Sequence, residues 1–153
     1  MNQNPCVYLA GPVEKIDTWR KGAANRLSKI GFRPINPLRK EKVHFDGAVC
    51  TSEVSDRVIV SRDLNDLKFT ERTGGLCLMK LDTTTEGRTP IGTLFELQYC
   101  FDYNIPVVAV MGVACDEGIR THPWIRHHIV KSFPTVTEAI DFIENYFTIP
   151  DAV

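Results

Sequence analysis

Long apolar runs are absent from this 153-residue sequence, and no stretch approaches the roughly 20 apolar residues that a membrane-spanning helix needs. A strong net charge is absent too. With 18 basic and 19 acidic side chains, the formal net charge is −1, which gives no support for a broad nucleic-acid or membrane surface. The first residues lack the charged-then-apolar pattern of a signal peptide. We therefore expect a cytoplasmic protein with neither a nucleic acid nor a membrane as partner.

The cysteine and histidine spacings argue against two further kinds of site. The five cysteines form no CxxC pair and are odd in number, so neither a disulfide framework nor a zinc site is indicated. His122, His127 and His128 lie close together in sequence, but no carboxylate pattern typical of a metal site accompanies them. We therefore expect no bound metal ion.

Strand-like and helix-like segments alternate along the chain. Apolar, β-prone runs predict strands at residues 6–10, 32–35, 76–81, 105–111 and 129–133. Apolar residues at helical spacing predict helices after residue 17 or 18, over 53–69 with Ser52 as N-cap, from about residue 92, and after Thr135. Residues 38–52 and 112–126 show no clear period and are expected to be irregular. The alternation predicts one doubly wound α/β domain over residues 1–153, with a five-stranded parallel sheet flanked by helices.

The predicted topology also indicates where a ligand would bind. In open parallel sheets, ligands bind beyond the carboxyl ends of the strands. The loops after Ala10, Ile35, Leu81 and Met111 are therefore the expected walls of a site. Glu96 follows the third of these loops, which favours a role for it in that site.

The segment from Gly92 to Glu96 has two interpretations. If Glu96 lies in the first turn of a helix, the unpaired backbone N–H groups and the helix dipole favour an ionised carboxylate there, as a glycosyl-transfer nucleophile requires. Thr93-x-x-Glu96 also fits a capping box, in which the glutamate only binds the N-cap amide. Spacing alone favours the capping box, and Thr135-x-x-Glu138 repeats the pattern.

Several other residues have side chains that suit such a site. A glycosidic nucleophile needs a group that handles the proton of the departing base, and Asp63 and Asp66 are candidates, although a solvated helix face explains them equally well. Tyr8 ends a buried strand, and its hydroxyl needs a hydrogen-bond partner, which a site carboxylate or a backbone carbonyl could supply. Trp19 is either a core residue or a base-stacking one. The possible anion contacts are Arg20 and Arg88.

Three blocks together resemble the nucleoside 2-deoxyribosyltransferase family, including its branch that hydrolyses deoxynucleoside 5'-monophosphates. They are Tyr8-Leu9-Ala10-Gly11-Pro12, Arg62-Asp63-Leu64 and Gly92-Thr93-x-x-Glu96-Leu97, in this order. His122-Pro123-Trp124 and the terminal Thr-x-x-Glu helix extend the resemblance over nearly the whole chain. The resemblance implies a flavodoxin-like, five-stranded parallel α/β fold. It also implies a homodimer or larger homo-oligomer whose sites are shared between subunits, and no cofactor.

The resemblance also implies roles for individual residues. Glu96 would be the nucleophile that attacks C1' of the deoxyribose, Asp63 the proton donor to the departing base, and Tyr8 the residue that positions Glu96. The covalent intermediate would pass to another nucleobase or to water. His128 would lie near the subunit interface. The remaining substrate-binding candidates are Gly11, Pro12, Asp17, Trp19, Arg20, Arg88, Thr89, Gly92 and Thr93.

Pro90 departs from the family pattern. Transferases of the family usually have an Asp six residues before the nucleophile for the sugar 5'-hydroxyl, and the monophosphate hydrolases a Ser for phosphate; Pro12 likewise replaces another phosphate-binding Ser. Both a nucleoside and a nucleoside monophosphate therefore stay open as substrates. So do two alternative functions: a nucleotide-sensing module without turnover, and a glycohydrolase of a ribosylated substrate such as a nicotinamide dinucleotide.

Overall fold

The computed structural model describes residues 3–14, 18–39, 43–46, 49–82 and 90–147. Its seven strands are β1 (Cys6–Ala10), β2 (Arg33–Ile35), β3 (Val43–Asp46), β4 (Val49–Ser52), β5 (Leu76–Lys80), β6 (Val107–Val110) and β7 (Lys131–Phe133). Its six helices are α1 (Trp19–Lys29), α2 (Asp56–Arg72), α3 (Ile91–Asp102), α4 (Glu117–Thr121), α5 (Pro123–His128) and α6 (Val136–Phe147). No helix within these ranges is long and apolar enough to cross a membrane.

Five of the strands form the predicted parallel sheet, in the order β2-β1-β5-β6-β7. Every neighbouring pair is parallel, and helices lie on both faces, so the fold is the doubly wound, flavodoxin-like one that the sequence indicates. The strand order reverses between β1 and β5. The crevice at the carboxyl ends of these two strands is the place where such sheets bind ligands.

Alternation along the central strands divides the core into two layers. Val7 and Leu9 pack with α1 and α6 on one face, whereas Cys6, Tyr8 and Ala10 pack with α2 and α3 on the other. All five of these residues are fully buried. Because successive side chains of a strand point to opposite faces, Tyr8 lies on the same side of the sheet as the helix that carries Glu96.

Two segments expected to be irregular contain regular structure. Within residues 38–52, β3 and β4 form an antiparallel two-stranded sheet in which His44 pairs with Thr51. Its strands alternate between half-buried and exposed residues, which explains why no apolar run marks them in the sequence. Within 112–126, α4 and α5 are five and six residues long, too short to show a helical period.

The predicted boundaries of α2 are also wrong. The helix begins at Asp56 with Ser55 as N-cap and continues to Arg72, instead of spanning 53–69 with Ser52 as cap. The Ser52 hydroxyl accepts a hydrogen bond from the Val54 N–H at 3.2 Å, so it stabilises the turn that precedes the helix.

Candidate functional site

A cavity of about 710 Å3 opens at the carboxyl end of β1. Its walls come from the end of β1 and the loop that follows, the β3–β4 hairpin, α2, and the first turns of α3. We call it the carboxylate cavity, because it contains Asp56, Asp63 and Glu96. Its other lining residues are Tyr8, Gly11, Pro12, Val13, Arg20, Pro37, Leu38, Val43, Cys50, Thr51, Ser52, Ile59, Arg62, Pro90, Ile91, Gly92 and Thr93.

The centre of this cavity is a hydrogen bond between Tyr8 and Glu96. Tyr8 lies on β1 in register with Cys77 of β5, and its side chain is fully buried under α3. Its hydroxyl donates to Oε2 of Glu96, 88 residues further along the chain. The contact supplies the partner that a buried phenol needs, and it fixes one oxygen of the carboxylate. The other oxygen, Oε1, has no hydrogen-bond partner among the described residues.

The structure places Glu96 outside the first helical turn, which both interpretations of the α3 N-terminus assume. The helix begins at Ile91 with Pro90 as N-cap, and the Leu94 N–H donates to the Pro90 carbonyl at 3.0 Å. Thr93 is therefore inside the helix and does not cap it. Glu96 lies in the second turn and not in the first, so unpaired helix N–H groups do not explain its charge. A capping-box role for Glu96 is excluded by this placement.

Burial dominates the electrostatics of the pair. The pKa of Glu96 is raised to about 7, chiefly by desolvation on burial and to a lesser extent by the nearby negative charge of Asp63. The hydrogen bond from Tyr8 and the positive charge of Arg20 act in the opposite direction. Burial, together with the charges of Glu96 and Asp63, raises the pKa of the Tyr8 phenol well above its ordinary value, so Tyr8 acts as a hydrogen-bond donor.

Asp63 and Arg62 occupy the wall formed by α2. The Nε and Nη2 atoms of Arg62 each lie 3.1 Å from Oδ1 of Asp63, and both side chains are mostly buried. The two contacts from Arg62 restrain the orientation of the Asp63 carboxyl group. Asp66, the other acid considered, forms an ion pair with Arg39 at 2.9 Å and does not line the cavity.

Arg20 shapes the loop after β1. Its side chain is 2% exposed, and it donates to the carbonyls of Leu9 at 3.1 Å and Gly11 at 2.7 Å. Its guanidinium also lies 4.9 Å from the ring centroid of Trp19. Gly11 has no room for a side chain, since an added Cβ would approach the Lys80 carbonyl to 3.0 Å. Arg20 and Trp19 therefore hold this loop in place, and of the two only Arg20 lines the cavity.

The predicted residues fall into three groups. The structure brings Tyr8, Gly11, Pro12, Arg20, Asp63, Gly92, Thr93 and Glu96 to one cavity. It places two residues elsewhere: Trp19, on α1 beside Arg20, and His128, on α5, where its Nε2 lies 3.1 Å from Oε1 of Gln98 and its ring contacts Phe101. Asp17, Arg88 and Thr89 lie outside the described residues.

Sequence reasoning missed Arg62 and the hairpin as parts of the cavity wall. Val43, Cys50, Thr51 and Ser52 enter the lining from β3 and β4. The available signal was the unusual length of the segment between the second strand and the second helix, because long connections in compact domains are often functional. Arg62 could have been suggested by its position directly before Asp63.

Within the described part of the chain, no group of three or more His, Cys, Asp or Glu side chains is arranged to hold a metal ion. Two carboxylates of the cavity, those of Glu96 and Asp63, are instead paired with Tyr8 and Arg62. Such an arrangement suits nucleophilic and proton-transfer chemistry by the side chains themselves.

Comparisons with known proteins extend only to the fold. No family model and no curated protein matches the sequence. Among solved structures, the chain is similar to a conserved protein from Enterococcus faecalis V583, with a TM-score of 0.62 and 14% sequence identity over 94% of this chain and 99% of that one. At this level of identity the likeness shows a shared α/β fold.

Proposed function

We propose that this protein is a cytoplasmic enzyme that cleaves the N-glycosidic bond of a 2'-deoxyribonucleoside or of its 5'-monophosphate. The observation that carries the proposal is the buried Tyr8–Glu96 hydrogen bond in a cavity that also contains Asp63. A positioned carboxylate beside a second acid is the arrangement that double displacement at a sugar carbon requires.

In the first step, a carboxylate oxygen of Glu96 attacks C1' of the deoxyribose. The bond from C1' to the base nitrogen breaks, its electron pair goes to the base, and Asp63 supplies a proton to the base. Arg62 stabilises the carboxylate that Asp63 becomes, because its guanidinium already contacts Oδ1. The product of this step is a deoxyribosyl ester of Glu96 and a free base.

In the second step, water or another nucleobase attacks C1' from the face that the first base left. Asp63 accepts the proton of this nucleophile, and the ester bond to Glu96 breaks with return of its electrons to the carboxylate. Two inversions at C1' give net retention of configuration. Tyr8 keeps its hydrogen bond to Glu96 and so restrains the carboxylate through both steps.

The polar groups of the wall accommodate either form of substrate. Pro90 is buried, and its side chain offers no hydrogen bond to the 5' end of the sugar. The hydroxyls of Thr51, Ser52 and Thr93 lie in the same cavity, together with the Arg62 guanidinium. The cavity volume is within the range of about 300–1,000 Å3 that is typical of small-molecule sites.

A homo-oligomer with shared sites is part of the same proposal. Exposed large apolar side chains lie on α3 and α5, including Ile91, Phe95, Phe101 and Trp124. Ile91 also lines the carboxylate cavity, so a subunit that covers these residues would lie beside the cavity mouth. Sedimentation of the wild type and of Phe95→Asp tests this: we expect a dimer or larger assembly that the variant weakens, and a monomeric wild type would contradict it.

The activity is tested with a panel of substrates. Each deoxynucleoside, each deoxynucleoside 5'-monophosphate and the matching ribo compounds are incubated with the protein, with and without acceptor bases, and the products are separated by chromatography. We expect free base, or an exchanged nucleoside, from the deoxy series. Glu96→Ala should abolish it, and Asp102→Asn, an exposed acid on the same helix, should not.

Three results would overturn the proposal. Binding of nucleotides without any product would favour a nucleotide-sensing module. Preferential cleavage of ribo substrates, including nicotinamide dinucleotides, would favour a ribosyl glycohydrolase. Full activity of Glu96→Ala would exclude the carboxylate as nucleophile whatever the substrate.

A further inference from the structure

A second cavity, of about 340 Å3, lies beside the edge strand β7 and shares no lining residue with the carboxylate cavity. Its walls come from the end of β6, from α4 and α5, and from β7 with the residues around it. We call it the cationic cavity. It is lined by Met111, Arg120, Arg126, Ile129, Val130, Lys131, Ser132, Phe133 and Pro134.

Three of these nine residues carry a positive charge and none carries a negative one. Arg120 donates to the carbonyls of Met111 at 3.2 Å and of Gly112, which fixes its side chain without neutralising it. Within the described residues, Arg120 forms one ion pair, with the exposed Glu117 at 3.5 Å. Exposed pairs of this kind are weak. The lining residues therefore carry a net positive charge; Asp82, which accepts from the Gly112 N–H at 3.3 Å, is adjacent to the lining and is paired with Lys80 at 3.4 Å.

Of the three cations, Arg126 makes the fewest contacts. It is exposed near the end of α5, and its side chain makes no hydrogen bond or ion pair with any other residue in the described ranges. The ammonium of Lys131 lies 5.4 Å from the ring centroid of Phe133 and forms no ion pair with an acid that the structure describes, so it adds positive charge to the same strand. An unpaired guanidinium at a cavity wall presents its donors to a ligand.

The backbone supplies further donors. β7 is at the edge of the five-stranded sheet, with β6 as its neighbour on one side. The β7 N–H groups that point away from β6 have no strand partner in the part of the chain that the structure describes. The side-chain hydroxyl of Ser132 lies on the same strand. Cations and N–H donors together match an oxyanion that accepts several hydrogen bonds.

We propose that the cationic cavity binds a phosphomonoester dianion, carried by a compact organic molecule. The doubly charged phosphate would lie against Arg126 and Arg120, because a guanidinium fork matches phosphate oxygens. Met111, Ile129 and Phe133 provide the apolar wall for the rest of the ligand. The volume is sufficient for a ligand of the size of a sugar phosphate or a nucleoside monophosphate.

The test is a titration of the protein with inorganic phosphate, 2-deoxyribose 5-phosphate and thymidine 5'-monophosphate, followed by calorimetry and by amide chemical shifts. The nucleotide is titrated into Glu96→Gln, so that turnover does not interfere. We expect saturable binding of at least one compound, with shifts at residues 131–133. Comparison of the three affinities shows whether the site recognises phosphate alone or also the sugar and the base.

Arg126→Ala should weaken this binding about tenfold or more, because it removes a charge-assisted contact. Arg72→Ala, which removes an equally exposed arginine from the end of α2, is the matched control and should leave it unchanged. Since Arg126 is exposed, the variant is expected to fold. Absence of binding at millimolar ligand, shifts at Gly92 and Thr93 alone, or equal affinity of Arg126→Ala and wild type would each overturn the proposal. None of these outcomes depends on catalysis by Glu96.

Discussion

The pattern Thr-x-x-Glu occurs at two helices of this chain and has a different structural role at each. At α6, the Thr135 hydroxyl accepts from the Glu138 N–H at 3.2 Å and donates to Oε2 of Glu138 at 2.9 Å, as a helix cap does. At α3, Thr93 is buried inside the helix and Glu96 contacts Tyr8 on a strand. The same spacing therefore marks a cap in one region and the centre of a cavity in the other.

The difference originates in where each helix begins. α6 begins directly after Thr135, whereas α3 begins at Ile91, two residues before Thr93. Pro90 has no N–H to leave unpaired, and its fixed φ suits the entry to a helix, so the chain turns helical at once. Glu96 is thereby moved from the first turn to the second and onto the face that packs against β1.

The largest effect expected from this comparison concerns activity. Glu96→Gln keeps the size of the side chain and removes its nucleophilicity, so we expect the loss of glycosidic cleavage by about a thousandfold or more. Glu138→Gln changes the same residue type in the same pattern and should retain wild-type kcat/KM. The measurement is initial rates on the best substrate of the panel. Equal losses in both variants would contradict a special role for Glu96.

The pH dependence gives the next effect. A nucleophilic carboxylate must be ionised, and the pKa of Glu96 is raised to about 7, so kcat/KM should fall about tenfold per pH unit below that value. Tyr8→Phe removes a hydrogen bond that lowers this pKa, so the acid limb should move to higher pH. The profile is measured as kcat/KM between pH 5 and 9.

Tyr103→Phe serves as the control for this shift, since Tyr103 is half-exposed and stacks on Tyr99 at the far end of α3. It should leave the acid limb in place. A Tyr8→Phe limb at the wild-type position would mean that Tyr8 does not tune Glu96.

Much of the fold can be predicted from the sequence, because the buried strands and helices have regular patterns of apolar residues. The central strands are continuous apolar runs, and burial on both faces explains why each can be read directly from the sequence. All four helices that pack on this sheet are predicted as well, because apolar residues at helical spacing mark their buried faces, and only α2 is displaced, by three residues. The β3–β4 hairpin and the short helices α4 and α5 have too few buried residues to leave such a pattern.

The site is less predictable because its contacts join distant parts of the chain. The resemblance drew Tyr8, Asp63 and Glu96 together, and they do meet in one cavity, but the Arg62 contact to Asp63 and the hairpin wall depend on tertiary structure. The raised pKa of Glu96 depends on burial, which spacing does not reveal. His128 is another candidate from the resemblance, but it does not line the cavity of its own chain.

Stability should distinguish Glu96 from Glu138 as well, but with the opposite sign: Glu96→Gln, which loses activity, should gain stability at high pH. Because the pKa of Glu96 is raised in the folded state, its contribution to stability is fully present below the unfolded pKa of about 4.5 and is lost as the pH rises through about 7. The free energy of unfolding of Glu96→Gln, taken relative to that of wild type, should therefore be greater at pH 8 than at pH 5 by on the order of 2 kcal/mol. Urea unfolding at the two pH values measures this.

Glu138→Gln is the reference for that measurement, because Glu138 is exposed and its helix-capping contact is at the surface. It should show no comparable gain between pH 5 and pH 8. If the difference in unfolding free energy between Glu96→Gln and wild type is the same at both pH values, then burial does not raise the pKa of Glu96.

The smallest effect concerns the two threonines. Thr135→Ala removes an N-cap and should lower the free energy of unfolding by about 1 kcal/mol. Thr93→Val removes a buried hydroxyl that caps nothing and keeps the branched shape of the side chain, so its loss of stability should be smaller than that of Thr135→Ala. Thermal or urea unfolding of both variants measures the contrast, and a larger loss in Thr93→Val would show that the Thr93 hydroxyl stabilises α3 as much as a cap does.

The most direct test of the central claim is to trap the covalent intermediate. A 2'-fluoro substituent on the sugar destabilises the oxocarbenium-like transition state and slows breakdown of the glycosyl ester. After incubation with such a nucleoside, peptide mass spectrometry should find the fluorinated sugar on Glu96, and on no residue in Glu96→Gln. An adduct on Asp63, or turnover of the natural substrate with inversion at C1' and no adduct, would contradict the assignment of Glu96 as the nucleophile.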